Sequence, residues 1–180
     1  MNRYVALLRA INVGGRNVKM DALREVFVQL GFQCVDTHLA SGNVLFDSNA
    51  NSLLAVRSRI ESALQRALGF EVICILRLHA ELGPIVGRLQ ALQSSPGVAA
   101  ANVGFFAEAP GAAGERALKA FRSEIDDLEL DGRELYWACA RKQSESSFDP
   151  GKLERVLQMP VTLRGANTVV QLAAKTRPAA

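Results

Sequence analysis

The chain reads as an α+β protein built from tandem ferredoxin-like units with mainly antiparallel sheets. Three observations carry that expectation. The first half alternates strand-length apolar runs with helical periods in the order β-α-β-β-α-β. The second half starts the same order again beyond the turn-rich stretch Ser94-Ser95-Pro96-Gly97. Over 180 residues, 49% hydrophobic and 22% charged is the balance of a folded chain, enough for one large domain or two small ones.

Tyr4 to Leu8 is short and apolar throughout, bounded by Arg3 and Arg9, which predicts a buried strand. A loop runs from Arg9 to Lys19. Asp21 opens a helix with Leu23, Val26, Phe27 and Leu30 on one face, and Gly31 ends it. Phe32 to His38 is a second strand, Ser41-Gly42-Asn43 a turn, and Val44 to Asp47 a third strand. The polar cluster from Ser48 to Ser52 breaks the chain and can cap a helix. Leu53, Val56, Ile60, Ala63, Leu64 and Ala67 line that helix, and Gly69 stops it. Val72 to Leu78 is a fourth strand, apolar except for Arg77.

A connecting helix is expected from Ala80 to Leu92. In the second half, Val103 to Phe106 reads as a strand and Ala113 to Arg122 as a helix with Leu118 and Phe121 inward. Asp127 to Leu130 and Glu134 to Cys139 read as a hairpin around Asp131-Gly132. Asp149-Pro150 is an N-cap with proline at the first helical position, followed by Leu153, Val156 and Leu157. A short last strand is expected near Val161 to Leu163 and a last helix from Val169 to Ala174, with a fraying tail beyond. The division that results is a unit over 1–78, a connecting helix and linker over 79–97, and a less regular second unit over 98–180. Several strands do not alternate, among them Tyr4–Leu8, Val72–Leu76 and Leu135–Cys139. A sheet with one open face should alternate, so both faces of these sheets are expected to be buried, by the other half, another chain or a ligand.

Composition narrows the chemistry. Net charge is +3, from 21 cations against 18 anions, with a pI near 9.0. Attraction to polyanions is therefore allowed but not required. Cys34, Cys74 and Cys139 sit among apolar residues with no C-x-x-C pair, which reads as buried free thiols and argues against a disulfide-stapled secreted protein. No apolar run reaches the ~18 residues of a membrane span, so a cytoplasmic location is expected. Gly14-Gly15 is followed by neither Gly-x-x-Gly nor Gly-Lys-Ser/Thr, which removes dinucleotide and P-loop motifs. His38 and His79 are the only histidines and have no cluster at ligand spacing, so no metal and no cofactor is expected. A Ser-His-Asp triad lacks its Gly-x-Ser-x-Gly elbow. The acidic series Glu124, Asp126, Asp127, Glu129, Asp131 and Glu134 could hold a hard cation, but reads better as a solvated, charge-protected edge strand.

The loop from Arg9 to Lys19 is the best candidate site. Gly14 and Gly15 can adopt positive φ and expose N–H groups, and the following helix adds its positive end. Arg9, Arg16 and Lys19 bring charge, and Asn12 and Asn17 bring amide donors. In a β-α-β-β-α-β unit the first and third strands are antiparallel neighbours. Ser41, Gly42 and Asn43 should therefore lie close to Arg9 and Asn12. The alternative is that these glycines and asparagines simply build two tight turns.

Three motifs, Ala6-Leu7-Leu8-Arg9-Ala10-Ile11-Asn12-Val13-Gly14-Gly15-x-Asn17, Ser41-Gly42-Asn43-Val44-x-Phe46 and Arg164-x-x-Asn167-Thr168-Val169, resemble the DUF1697 family of uncharacterised bacterial proteins. The resemblance extends over essentially the whole chain. It implies a tandem of ferredoxin-like units and no established activity. It also brings Arg164, Asn167 and Thr168 into the candidate ligand set. The third motif departs from the family's Arg-Asn-Trp-Asn-Thr, having Gly165 and Ala166 in the middle. The family's Gly-rich stretch with Arg-Ser-Lys-Leu is replaced by Gln143-Ser144-Glu145-Ser146-Ser147-Phe148.

No residue stands out as acid, base or nucleophile, so whether the protein is an enzyme stays open. The leading expectation is a protein that binds a small anionic or polar ligand at the first loop. The alternatives are nucleic-acid binding through the ferredoxin-like sheets, which the scattered Tyr4, Phe32, Phe46, Phe105 and Trp137 do not favour, and a regulatory module that forms homodimers.

Overall fold

A computed structural model describes residues 1–175 except 10, 13 and 16. The chain forms two compact units, Met1–Leu82 with the segment that begins at Ala174, and Gly83–Ala173.

The first unit has the order β1 (Asn2–Leu8), α1 (Met20–Gln29), β2 (Gln33–His38), β3 (Asn43–Ser48), α2 (Leu53–Leu68) and β4 (Cys74–Leu78). Its sheet runs β2-β3-β1-β4 with every pairing antiparallel. β1 is central, with Tyr4 opposite Phe46 and Leu78, and Leu7 opposite Asn43 and Ile75. Local sequence explains the helix ends. Ser52 Oγ accepts the Ala55 N–H at the start of α2, and Gly69 closes it at φ 77°.

Leu23, Val26 and Phe27 of α1 and Val56, Ile60 and Leu64 of α2 share a core with Tyr4, Ala6, Leu8, Val44 and Phe46. The helices thus cover one sheet face, and each such side chain contributes roughly 1.5–3 kcal/mol. Val5, Leu7, Leu45 and Ile75, on the opposite face, are fully buried as well. The non-alternating strands are therefore explained by burial on both sides.

The second unit repeats the plan. α3 (Leu82–Gln93) leads into β5 (Ala100–Phe106), α4 (Gly111–Leu118), β6 (Asp126–Asp131), β7 (Glu134–Cys139), α5 (Pro150–Leu157), β8 (Val161–Gly165) and α6 (Ala166–Ala174). The sheet order β6-β7-β5-β8 is the same permutation as in the first unit, again antiparallel throughout. Asp149 caps α5 by accepting the Gly151 N–H at 2.8 Å, with Pro150 in the first turn. Phe106, Leu128, Trp137, Phe148 and Leu153 form its core. Arg88 of α3 stacks over Tyr136 at 4.4 Å and pairs with Glu129 and Asp131, which ties α3 to the β6–β7 hairpin.

Several expectations are corrected. The helix expected to reach Arg122 ends at Leu118 and tightens into a 3-10 turn over Lys119–Phe121. The connecting helix starts as a 3-10 turn at His79–Glu81, where Glu81 accepts the Leu78 N–H at 2.6 Å, and becomes α-helical only at Leu82. β4 begins at Cys74 rather than Val72, and α6 begins at Ala166, directly after β8. Because Asp131 pairs with Glu134, the hairpin turns on Gly132-Arg133 rather than Asp131-Gly132. Cys74 and Cys139 are buried, but Cys34 is exposed. It lies at a register shift in β2 with φ 48°, and the irregularity turns it out of the alternation that would bury it. The acidic series is also divided. Asp127 and Glu129 are exposed on the edge strand β6, whereas Asp126 is buried.

Candidate functional site

The first loop and the β2–β3 turn do meet. The Leu8 N–H donates to the Gly42 carbonyl at 2.8 Å, and the Arg9 N–H to the Ile73 carbonyl at 2.9 Å. These bonds fix the loop's start between β3 and β4. Asn12 then acts as a clamp. Its Oδ1 accepts the Val18 N–H at 2.6 Å, and its Nδ2 donates to the Val18 carbonyl at 3.3 Å and the Ala40 carbonyl at 2.9 Å. One side-chain amide thus closes the loop on itself and joins it to the turn. Ile11 is buried beneath, against Gly42. A Cβ at Gly42 would come within 2.7 Å of Ile11 Cγ2, and Gly42 has φ 77°. Only glycine fits there.

Asn43 is fully buried, and its Nδ2 donates to the His38 carbonyl at 2.8 Å and to Ser41 Oγ at 2.9 Å. Asn12 and Asn43 therefore shape the site through backbone partners, and Ser41 Oγ accepts from the Asn43 amide. Gly14 and Gly15 have φ 61° and 83°, with open space where a Cβ would stand. Both are exposed, as are Asn17 and Lys19, and Arg9 is half-buried. Lys19 sits at the N-cap of α1, whose first turn receives no side-chain cap. No carboxylate occurs from Arg9 to Lys19, and the first one beyond is Asp21 in the opening turn of α1. Arg16, counted among the loop's cations, lies outside the described residues.

Arg164, Asn167 and Thr168 belong to the second unit. Arg164 is buried and donates to Thr162 Oγ1 and the Leu163 carbonyl, both at 2.8 Å. Burial pushes its guanidinium down to about 10. Asn167 is exposed and Thr168 half-buried in the first turn of α6.

A second polar centre has no motif that announces it in the sequence. Asp126 Oδ1 accepts Trp137 Nε1–H at 2.9 Å and the Ser146 hydroxyl at 2.7 Å, while Oδ2 accepts the Ser123 hydroxyl at 2.9 Å. Ser123 Oγ and Ser146 Oγ in turn accept the N–H groups of Asp126 and Phe148. Burial raises the carboxyl's pKa, but the donors from Ser146, Trp137, Ser123 and Cys139 outweigh it and leave it below the ordinary carboxylate value. Every partner is satisfied internally, so the cluster reads as a structural staple for the β7–α5 connection. The faint signal for it was Asp126 falling on the inward phase of β6 with Leu128.

The solved structure of a conserved bacterial protein, SP0830 from Streptococcus pneumoniae, superposes with a TM-score of 0.72 at 23% identity, covering 96% of this chain and 97% of that one. At that identity the likeness is one of fold. No match is found among curated proteins. No helix among the described residues is long and apolar enough to cross a membrane. The profile of the family described as "Protein of unknown function (DUF1697)" matches residues 1–136, and the chain belongs to that family.

Proposed function

We propose that the first unit binds a small anionic or polar ligand at the loop from Arg9 to Lys19. The observation that carries this reading is the Asn12 clamp. It holds an exposed, glycine-containing and carboxylate-free loop against the Ser41–Asn43 turn, at the uncapped start of α1. A clamped loop has already lost much of the entropy that a ligand would otherwise have to remove. Gly14 and Gly15 let an anion approach the backbone, and Arg9 and Lys19 supply charge for hydrogen bonds worth roughly 1.5–3 kcal/mol each. Arg164, Asn167 and Thr168, in the second unit, are kept as candidates on a sequence resemblance alone, beyond the matched residues 1–136.

Nucleic-acid binding has less support. Tyr4, Phe32 and Phe46 stack among themselves in the first core, and Trp137 packs on Phe148 in the second. Aromatics so placed are not offered to bases.

The test is a thermal-shift screen of phosphate, sulfate and a panel of phosphorylated and carboxylated metabolites. A ligand at a hundred times its Kd contributes about 2.7 kcal/mol, or roughly 5–10 °C in Tm for a chain of this size. Lys19→Ala should leave the free protein's Tm unchanged and reduce the ligand-induced rise, and Arg9→Ala should reduce it further. A hit whose stabilisation survives both substitutions places the ligand elsewhere and defeats the proposal.

A further inference from the structure

The outer side of α2 divides two kinds of surface. On one flank a cleft of about 340 Å³ is lined by Glu61 and Glu71 with Ser58, Ser62 and Gln65. Glu61 is committed there, accepting the Cys74 N–H at 2.9 Å. On the other flank two concavities of about 370 and 310 Å³ follow the groove between α1 and α2 and share Leu30 and Arg66. Val26, Leu30, Ala63 and Ala67, beside Gln29, give the larger one its apolar floor, and Leu30 extends that floor into the smaller. Their rim carries Arg59, Arg66, Ser58 and Ser62, and no carboxylate lines either one.

We propose that this α1–α2 groove docks an acidic amphipathic helix of a partner protein. The floor accepts an apolar stripe, which a free phosphate or a small sugar acid would leave unfilled. The charged rim is basic only, so the complementary rim on the partner is acidic. Spacing fits the same occupant. Arg59 and Arg66 are seven residues apart, two turns along one stripe of α2, or roughly 10 Å. Carboxylates at i and i+7 of a facing helix repeat at that distance.

Arg59 is already held in place. It donates to the Leu30 carbonyl at 2.9 Å and lies 5.6 Å from the Phe32 ring. Its fixed geometry lowers the ordering cost of an incoming carboxylate. Arg66 is exposed and has no ion-pair partner among the described residues. The groove is distinct from the first loop, and neither proposal depends on the other.

The test uses the full chain, labelled with ¹⁵N, and a synthetic acetylated helix with Leu at i, i+3 and i+7 and Glu on both flanks. Amide shifts should concentrate on Leu30, Ala63, Arg66 and Ala67, and binding should weaken several-fold between low and 0.5 M salt. Arg66→Glu should leave Tm unchanged and weaken binding at least tenfold. A peptide with Lys in place of every Glu should not shift these amides. Shifts that are absent at millimolar peptide, spread elsewhere, or equal for the Lys peptide overturn the proposal. So does the same shift pattern from inorganic phosphate or a mixed-sequence oligonucleotide when the acidic peptide gives none.

Discussion

Asp126→Ala is the sharpest test of how the second unit is held together. The substitution removes the acceptor of three donors at 2.7–2.9 Å. Trp137 is 2% exposed, so its indole N–H loses its partner with no access to water. An orphaned buried donor of that kind costs about 1–3 kcal/mol. The hydroxyls of Ser123 and Ser146 can rotate, so each adds less, about 0.5–1 kcal/mol. The expected loss is about 2–5 kcal/mol, a large share of the ~5–15 kcal/mol that a domain possesses. Asp126→Asn keeps one oxygen for Trp137 and should cost less, about 1–2 kcal/mol.

Trp137 is the only tryptophan, so urea unfolding followed by its fluorescence reads this unit directly. The sign of the pH dependence follows from the lowered carboxyl pKa. Below the ordinary carboxylate value the unfolded chain takes up the proton first. The stabilisation is therefore present at neutral pH and lost as pH falls through the folded value. Asp126→Asn should flatten the acid limb of the stability curve. If Asp126→Ala shifts stability by less than about 1 kcal/mol, or leaves the acid limb unchanged, the network does not hold the β7–α5 connection.

Three further outcomes follow from the first unit. Asn12→Ala removes bonds to Val18 and Ala40 and should destabilise the unit by about 2–3 kcal/mol, read by hydrogen exchange of the loop and β1 amides, whereas Lys19→Ala should not. Gly42→Ala places a Cβ against Ile11 at positive φ and should cost at least about 2 kcal/mol, visible as a lower Tm; a neutral result would disprove the close approach. Thiol titration of the native protein should label Cys34 quickly. Cys74 and Cys139, their pKa values raised mainly by burial, should react only after unfolding, and three equally fast thiols would contradict that burial.

Much of this protein was legible residue by residue. Helical periods such as Val56, Ile60 and Leu64, the caps at Ser52 and Asp149, and the stop at Gly69 are encoded within a few positions of where they act. The repeated element order then implied the shared sheet permutation, and the unbroken apolar strands implied burial on both faces. The convergence of the first loop with the β2–β3 turn also followed, because antiparallel neighbours bring those ends together whatever residues they carry.

What each polar side chain does there was decided only by tertiary structure. Asn12 and Asn43 looked like ligand donors in the sequence, and the fold commits both to backbone carbonyls. Asn12 reaches a carbonyl 28 positions away, and Asp126 meets Ser146 across 20. Local periodicity holds no record of such distances. Whether a carboxylate is solvated, or an asparagine free, depends on which donors and acceptors the folded chain brings within 3 Å of it. The same reason explains Cys34, exposed by a register shift between two strands rather than by its own neighbours.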